Sequence, residues 1–123
     1  MEKHYGEVLA ACGEGVGSLL DVGCGNGAFV RFAIARNPKL RLAVGIENSS
    51  ASLSLAPDDG SGSPLLVGDG EQLPLRSDGF DAVVSIDALE WAPDPVALLR
   101  ESARVCKPDG RVVAVHTRRA GAD

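Results

Sequence analysis

Two acids and three glycines carry the chemistry most legible in this sequence. Asp21-Val22-Gly23-Cys24-Gly25-Asn26-Gly27 sets an acid ahead of a turn in which glycines alternate with small or polar residues. Glycine takes positive φ and lets ligand atoms approach the backbone without meeting a Cβ. Glu47 follows 20 residues after Gly27. A carboxylate at a strand tip beside such a turn can accept both hydrogen bonds from the vicinal hydroxyls of a ribose, and its charge strengthens them. The implied chemistry is binding of a nucleoside-bearing ligand. A solvated acid opening a loop is the plainer reading of Glu47, and the glycine turn at the right distance favours the ribose role.

Candidates for bond-making chemistry are fewer. Cys24 lies inside the turn, but no base is paired with it in the sequence, and it reads as a small residue filling space. Asp87, Glu90 and His116 fall near strand ends. His116 closes the last strand on the side where ligands bind, and the ordinary pKa of imidazole suits a general base. The same position suits a polar residue that merely ends a strand.

These residues need a scaffold. Residues 2–12 read as a short helix with Tyr5, Val8, Leu9 and Cys12 on one side. Ser18–Val22 is a short apolar strand. A helix from about Gly27 to Arg36 carries Phe29, Val30, Ala33 and Ile34 at helical spacing, and Asn37-Pro38 stops it. Leu40–Ile46 is a second strand ending at Glu47. Ser49–Leu55 is a Ser-rich short helix, and Pro57–Pro64 is a loop by composition. Leu65–Gly68 and Ala82–Ile86 are further strands, the latter entered through a turn at Ser77–Asp81. Asp94-Pro95 starts a helix as N-cap and first-turn proline. That helix should bury Val96, Leu99, Ala103 and Cys106. Lys107-Pro108-Asp109-Gly110 should end it in a turn, before a last strand at Arg111–His116 and a polar tail from Thr117 to Asp123. Strands alternate with helices and read as apolar runs, which makes the fold α/β with a buried parallel sheet.

The chain has 123 residues, and residues 1–123 are read as one domain. A net charge of −5 argues against nucleic acid as an electrostatic partner. Met1–Gly6 has no apolar leader, and no stretch approaches the roughly 20 apolar residues that span a bilayer. No membrane association and a cytoplasmic location are the expectations. Cys12, Cys24 and Cys106 are too far apart and too few for a metal cluster or disulfide framework, so no metal is expected.

Asp21-x-Gly23-x-Gly25-x-Gly27 resembles the first motif of the class I S-adenosylmethionine (SAM)-dependent methyltransferases, in particular the small-molecule methyltransferases of type 11. A dinucleotide-binding turn has one more residue before its third glycine. Further stretches resemble the family in the right order. They are Glu47 at the end of the second strand, Gly68-Asp69-Gly70-Glu71-Gln72-Leu73-Pro74, Phe80-Asp81 before the fourth strand, and Lys107-Pro108-Asp109-Gly110 before the fifth. The resemblance implies SAM as cofactor and a methyl acceptor that is by default a small molecule. It implies cofactor contacts from Asp21, Gly23, Cys24, Gly25, Asn26, Gly27, Glu47, Asn48, Asp69, Gly70 and Ser85. In it, Asp69 takes a hydrogen bond from the adenine amino group and the Gly70 N–H meets a ring nitrogen. Trp91 stands where the family often has His, and indole can only donate. The implied fold is a Rossmann-like doubly wound sheet of about five strands in the order 3-2-1-4-5. The family's C-terminal antiparallel hairpin has no counterpart here, so the fifth strand becomes an open edge. A fragment, a homodimer that covers that edge and a reduced five-strand variant all fit. A SAM-binding module without turnover is the alternative to an enzyme.

Overall fold

The computed structural model describes residues 2–57 and 64–116. The interior of the Pro57–Pro64 loop and the tail from Thr117 lie outside the described residues. In chain order the elements are α1 (Glu2–Ala11), β1 (Ser18–Val22), α2 (Ala28–Arg36), β2 (Leu42–Glu47), the single turn α3 (Ser50–Leu53), β3 (Leu65–Val67), β4 (Phe80–Ile86), a 3-10 turn (Leu89–Trp91), α4 (Pro95–Val105) and β5 (Cys106–Val115). The five strands form one parallel sheet in the order β3-β2-β1-β4-β5. This is the Rossmann-like order the sequence implied.

The centre of the sheet, β1, β2 and β4, is buried on both faces, as apolar strands without alternation require, while β3 and β5 are more exposed. All five residues of β1 are buried. Leu19, Ala82 and Val84 face α1 and α2, where Phe29 and Ala33 join Val8, Cys12 and Val16. Tyr5 meets Phe29 edge-on at 5.2 Å between ring centroids and so ties α1 to α2. Leu20, Val22, Ile46 and Val83 face the other way, onto Leu98 and Val105 of α4.

α4 begins as expected, with Asp94 Oδ1 accepting from the Ala97 N–H at 3.1 Å and Pro95 in the first turn. Of its expected buried stripe only Cys106, which opens β5, is inside. Leu98, Ser102 and Val105 are inside, while Val96 is 60% exposed and Leu99 41%; Ala103 is exposed as well. Two contacts set the helix rotation. Glu101 Oε1 accepts from the Leu73 N–H at 2.8 Å, and Arg104 Nη2 donates to the Leu73 carbonyl at 3.0 Å. Ser102 tolerates burial because its hydroxyl donates to the Leu98 carbonyl one turn back at 2.9 Å. A polar residue in the buried stripe hid the true face from a pattern argument.

Lys107–Gly110 is also corrected, from a turn to part of β5. Phe80 pairs with Cys106, and Ala82 then pairs with Arg111, so only Asp81 stands opposite these four residues. The surplus is a bulge inside the strand. A Cβ at Gly110 would lie 2.6 Å from the Asp81 carbonyl, so only glycine closes the ladder here. Asp81 holds the bulge from β4. Its Oδ1 accepts from Lys107 Nζ at 3.0 Å, and its Oδ2 accepts from the Gly17 and Ser18 N–H groups at 2.8 and 3.0 Å. The Lys107 hydrogen bond, with help from the Gly17 N–H, holds this carboxyl below its usual range. Among the described residues β5 pairs only with β4, so its outer side is a sheet edge, as the sequence implied.

Candidate functional site

The carboxyl ends of β1, β2 and β4 meet around the glycine turn. Gly23, Gly25 and Gly27 have φ of +78°, +58° and +84°, a region that costs other L-residues about 1–2 kcal/mol. The Gly23 and Cys24 N–H groups donate to the Ile46 carbonyl at 2.8 and 3.0 Å, which fastens the turn to the end of β2. The glycines differ in what surrounds them. A Cβ at Gly23 would lie 2.8 Å from Ala88 Cβ, and one at Gly27 would lie 2.8 Å from Leu65 Cδ1. A Cβ at Gly25 would meet nothing within 4 Å. Gly25 therefore lines open space, where a ligand can lie against bare backbone.

Glu47 closes on this turn from the tip of β2. Its Oε1 accepts from the Gly25 N–H at 2.9 Å and its Oε2 from the Ser49 N–H at 3.0 Å. Each oxygen keeps a second acceptor direction. The carboxylate is thus fixed in orientation with acceptor capacity to spare, as a ribose diol requires.

Two lobes of one crevice share Gly23, Ile86 and Asp87. The first, of about 240 Å³, is lined by Glu47, Asn48, Asp69, Gly70, Leu98 and Trp91, among others. The second, of about 260 Å³, includes Asp21, Cys24, Gly25, Asn26, Phe29 and Tyr5. Neither lobe has a lysine or arginine among its described lining residues. The charged residues among the described lining are the acids Asp21, Glu47, Asp69, Glu71 and Asp87.

Asp21 is the least comfortable group in the molecule. It is 2% exposed, and its Oδ1 has no hydrogen-bond partner among the described residues. Burial, with the Glu47 charge second, pushes its carboxyl up to about 8. A buried carboxyl group with an oxygen unpartnered among the described residues, at the wall of an open lobe, suits the cationic group of a ligand, which would favour its ionised form. Cys24 is buried against Gly45, and burial, followed by the charges of Asp21 and Glu47, pushes its thiol up to about 12. It is a packing residue with no nucleophilic character near neutral pH.

The structure brings most of the sequence-derived residues together. Asp21, Gly23, Cys24, Gly25, Asn26, Glu47, Asn48, Asp69 and Gly70 line the crevice. Gly27 is buried behind the turn against Leu65. Asp69 is exposed and folds back on its own loop, with Oδ1 accepting from the Glu71 N–H at 2.9 Å. Gly70 has a packing reason to be glycine, since a Cβ would lie 2.8 Å from Val22 Cγ1. Ser85 stands apart. It is 3% exposed inside β4 with its Oγ unpartnered among the described residues, and the crevice wall on this strand begins at Ile86. His116 does not line either lobe; it faces Glu90 and Asp87 beside them. Sequence reasoning missed Ile86, Ala92, Pro93 and Leu98 in the first lobe. These apolar residues of β4, α4 and the segment between them carried no signal beyond their position.

A five-stranded parallel sheet with this crevice at its carboxyl edge defines a Rossmann-like nucleoside-binding domain. The sequence matches the methyltransferase domain family over residues 20–114. The chain belongs to that family, whose members take their methyl group from SAM. It is 34% identical over 116 residues to a malonyl-[acyl-carrier protein] O-methyltransferase of Hahella chejuensis, covering 92% of this chain and 42% of that one. An 18S rRNA (guanine-N(7))-methyltransferase of Schizosaccharomyces pombe is 34% identical over 93 residues, 74% of this chain and 33% of its own length. Among solved structures, the PH0226 protein of Pyrococcus horikoshii superposes with a TM-score of 0.82 at 25% identity, covering 94% of this chain and 56% of that chain. The chain thus spans less than half the length of these two curated relatives. No helix among the described residues is long and apolar enough to cross a membrane.

Proposed function

We propose that this chain, as one domain, forms the SAM-binding part of a methyltransferase whose acceptor is a small molecule. The observation that carries the reading is the Glu47 carboxylate, oriented by the Gly25 and Ser49 N–H groups beside the open face of Gly25. In this reading the first lobe takes the nucleoside. Glu47 accepts from the ribose hydroxyls, and Asp69 and Gly70 meet the adenine edge. The second lobe takes the amino-acid end, whose ammonium gives the buried Asp21 oxygen the partner it lacks.

SAM supplies an electrophilic methyl group on a sulfonium. The protein's share is orientation and proximity. Gly25 and Glu47 fix the ribose, and Asp21 fixes the far end. The carboxylate-lined crevice suits the two positive charges of SAM. Asp87 lies where the lobes join, on the side left for the acceptor. A small-molecule acceptor is supported by the net charge of −5 and by a crevice without cationic lining, both unfavourable to a polyanion.

The alternative reading is a SAM-binding module without turnover, which would use the same cofactor contacts. Calorimetric titration with SAM, its demethylated product and NAD tests both. Binding of the first two without NAD supports the common core of the two readings, and methyl release to trial acceptors separates them. Retention of NAD and not SAM would reverse the assignment.

A further inference from the structure

Three side chains from three segments of the chain meet at the rim of the crevice. Asp87 directly follows β4, Glu90 belongs to the 3-10 turn, and His116 directly follows β5. His116 Nδ1 stands 3.4 Å from Glu90 Oε1 and 3.9 Å from Asp87 Oδ1. One donor atom from each lies within 4.8 Å of the other two. We propose that Asp87, Glu90 and His116 form a divalent-cation site, of the Mn²⁺ or Zn²⁺ class, on the acceptor side of the crevice.

Several features carry the proposal beyond a surface ion pair. An imidazole beside one exposed carboxylate is an ordinary surface pair that contributes little. Here two carboxylates from different segments converge on one imidazole nitrogen, so three donors of metal-ligating type lie together. Donors on one ion lie at roughly 2.0–2.2 Å from it, hence roughly 3 Å from one another, so small side-chain rotations close this set around a metal. Glu90 and His116 are exposed and have the room to make them. One imidazole nitrogen with two carboxylates favours a borderline metal over calcium or magnesium, which prefer oxygen alone. Three protein ligands leave positions open. Asp87 lines both lobes, so the cluster adjoins the place where they join.

The consequence for substrate class rests on the methyltransferase reading. An alcohol or phenol oxygen bound at an open position would lose its proton at lower pH, because the ion stabilises the oxyanion. That favours an oxygen acceptor.

The test is a Mn²⁺ titration of the whole chain, following the paramagnetic resonance signal of the free ion, with no cofactor added. The expected result is one ion per chain. His116→Ala and Glu90→Gln should each weaken it by at least about tenfold, since even partners outside the coordination shell cost that much. Glu14→Gln, an exposed acid in the loop after α1, should leave it unchanged. Both ligand variants alter exposed side chains, and an unchanged melting temperature checks that they fold. No binding by the native chain, or equal weakening in Glu14→Gln, would overturn the site. Because SAM is absent, this outcome is independent of the cofactor titration.

Discussion

Replacing Asp21 with Asn should stabilise the ligand-free protein and weaken its hold on SAM, and the pH dependence should reveal why. The Asp21 carboxyl is pushed up to about 8 by burial and by Glu47, from an unfolded value near 3.8. The folded state therefore keeps a proton that the unfolded state loses. Stability contributed by the protonated group is complete below the unfolded pKa and drains away as pH rises toward the folded one. Each pH unit in that window costs about 1.4 kcal/mol. Between about pH 5 and about pH 8 the native protein should lose on the order of 4 kcal/mol through this group alone. Asn has nearly the same shape and no proton to lose. Any hydrogen-bond cost of the amide is the same at both pH values, so the difference isolates the ionisation. Urea unfolding of native and Asp21→Asn protein at the two pH values reads it directly. The variant should gain on the native protein by several kcal/mol more near pH 8 than near pH 5. An equal shift at both would refute the reasoning, because Asp21 would then be ionised in the fold and already partnered. With SAM, the order reverses. The amide cannot pair with an ammonium, and losing a charged hydrogen bond of roughly 1.5–3 kcal/mol should weaken binding about 10- to 100-fold.

Other perturbations separate packing from ligand contact. Gly25→Ala should cost only about 1–2 kcal/mol of stability, from its positive φ, yet remove SAM binding in a titration; Gly23→Ala, which meets Ala88 at 2.8 Å, should melt at a lower temperature than Gly25→Ala. Glu47→Ala should abolish measurable SAM binding, whereas retained affinity would remove the ribose role. Asp81→Ala frees two backbone N–H groups and Lys107 at the far end of the sheet, so chemical denaturation should show a loss on the order of 2 kcal/mol at neutral pH. Because the folded carboxyl of Asp81 titrates low, that loss should shrink as the medium is acidified through the carboxylate range. The Cys24 thiol, pushed up to about 12, should resist iodoacetamide near pH 8 in the folded state, and labelling at the rate of a free thiol would contradict its burial.

The fold was legible where one physical cause dominated. Apolar runs between helical stretches gave the parallel sheet, and Asp94-Pro95 gave the start of α4 as observed. The glycine turn and Glu47 were legible because few residue types can do what they do. Legibility failed where distant contacts decide. The face of α4 is chosen by Glu101 and Arg104 gripping Leu73, 28 and 31 residues away in sequence. Lys107–Gly110 has turn composition, but Asp81 on the neighbouring strand holds it inside β5 as a bulge. Ser85 fell one residue short of the crevice, an error that spacing cannot resolve in a strand buried on both faces. The meeting of Asp87, Glu90 and His116 depends on β4 and β5 being neighbours with their ends in register, as Ile86 opposite Val115 makes them.

The central claim is that one SAM molecule lies across both lobes, with Glu47 at one end and Asp21 at the other. Amide chemical-shift mapping on nitrogen-15-labelled protein during a SAM titration tests it most directly. The account predicts saturable shifts at Gly25, Glu47 and Gly70 and at Asp21 and Asp87, with the Gly17 and Lys107 end of the sheet unmoved. An absence of shifts in a folded protein, or shifts confined to the Gly17 and Lys107 end, would contradict it.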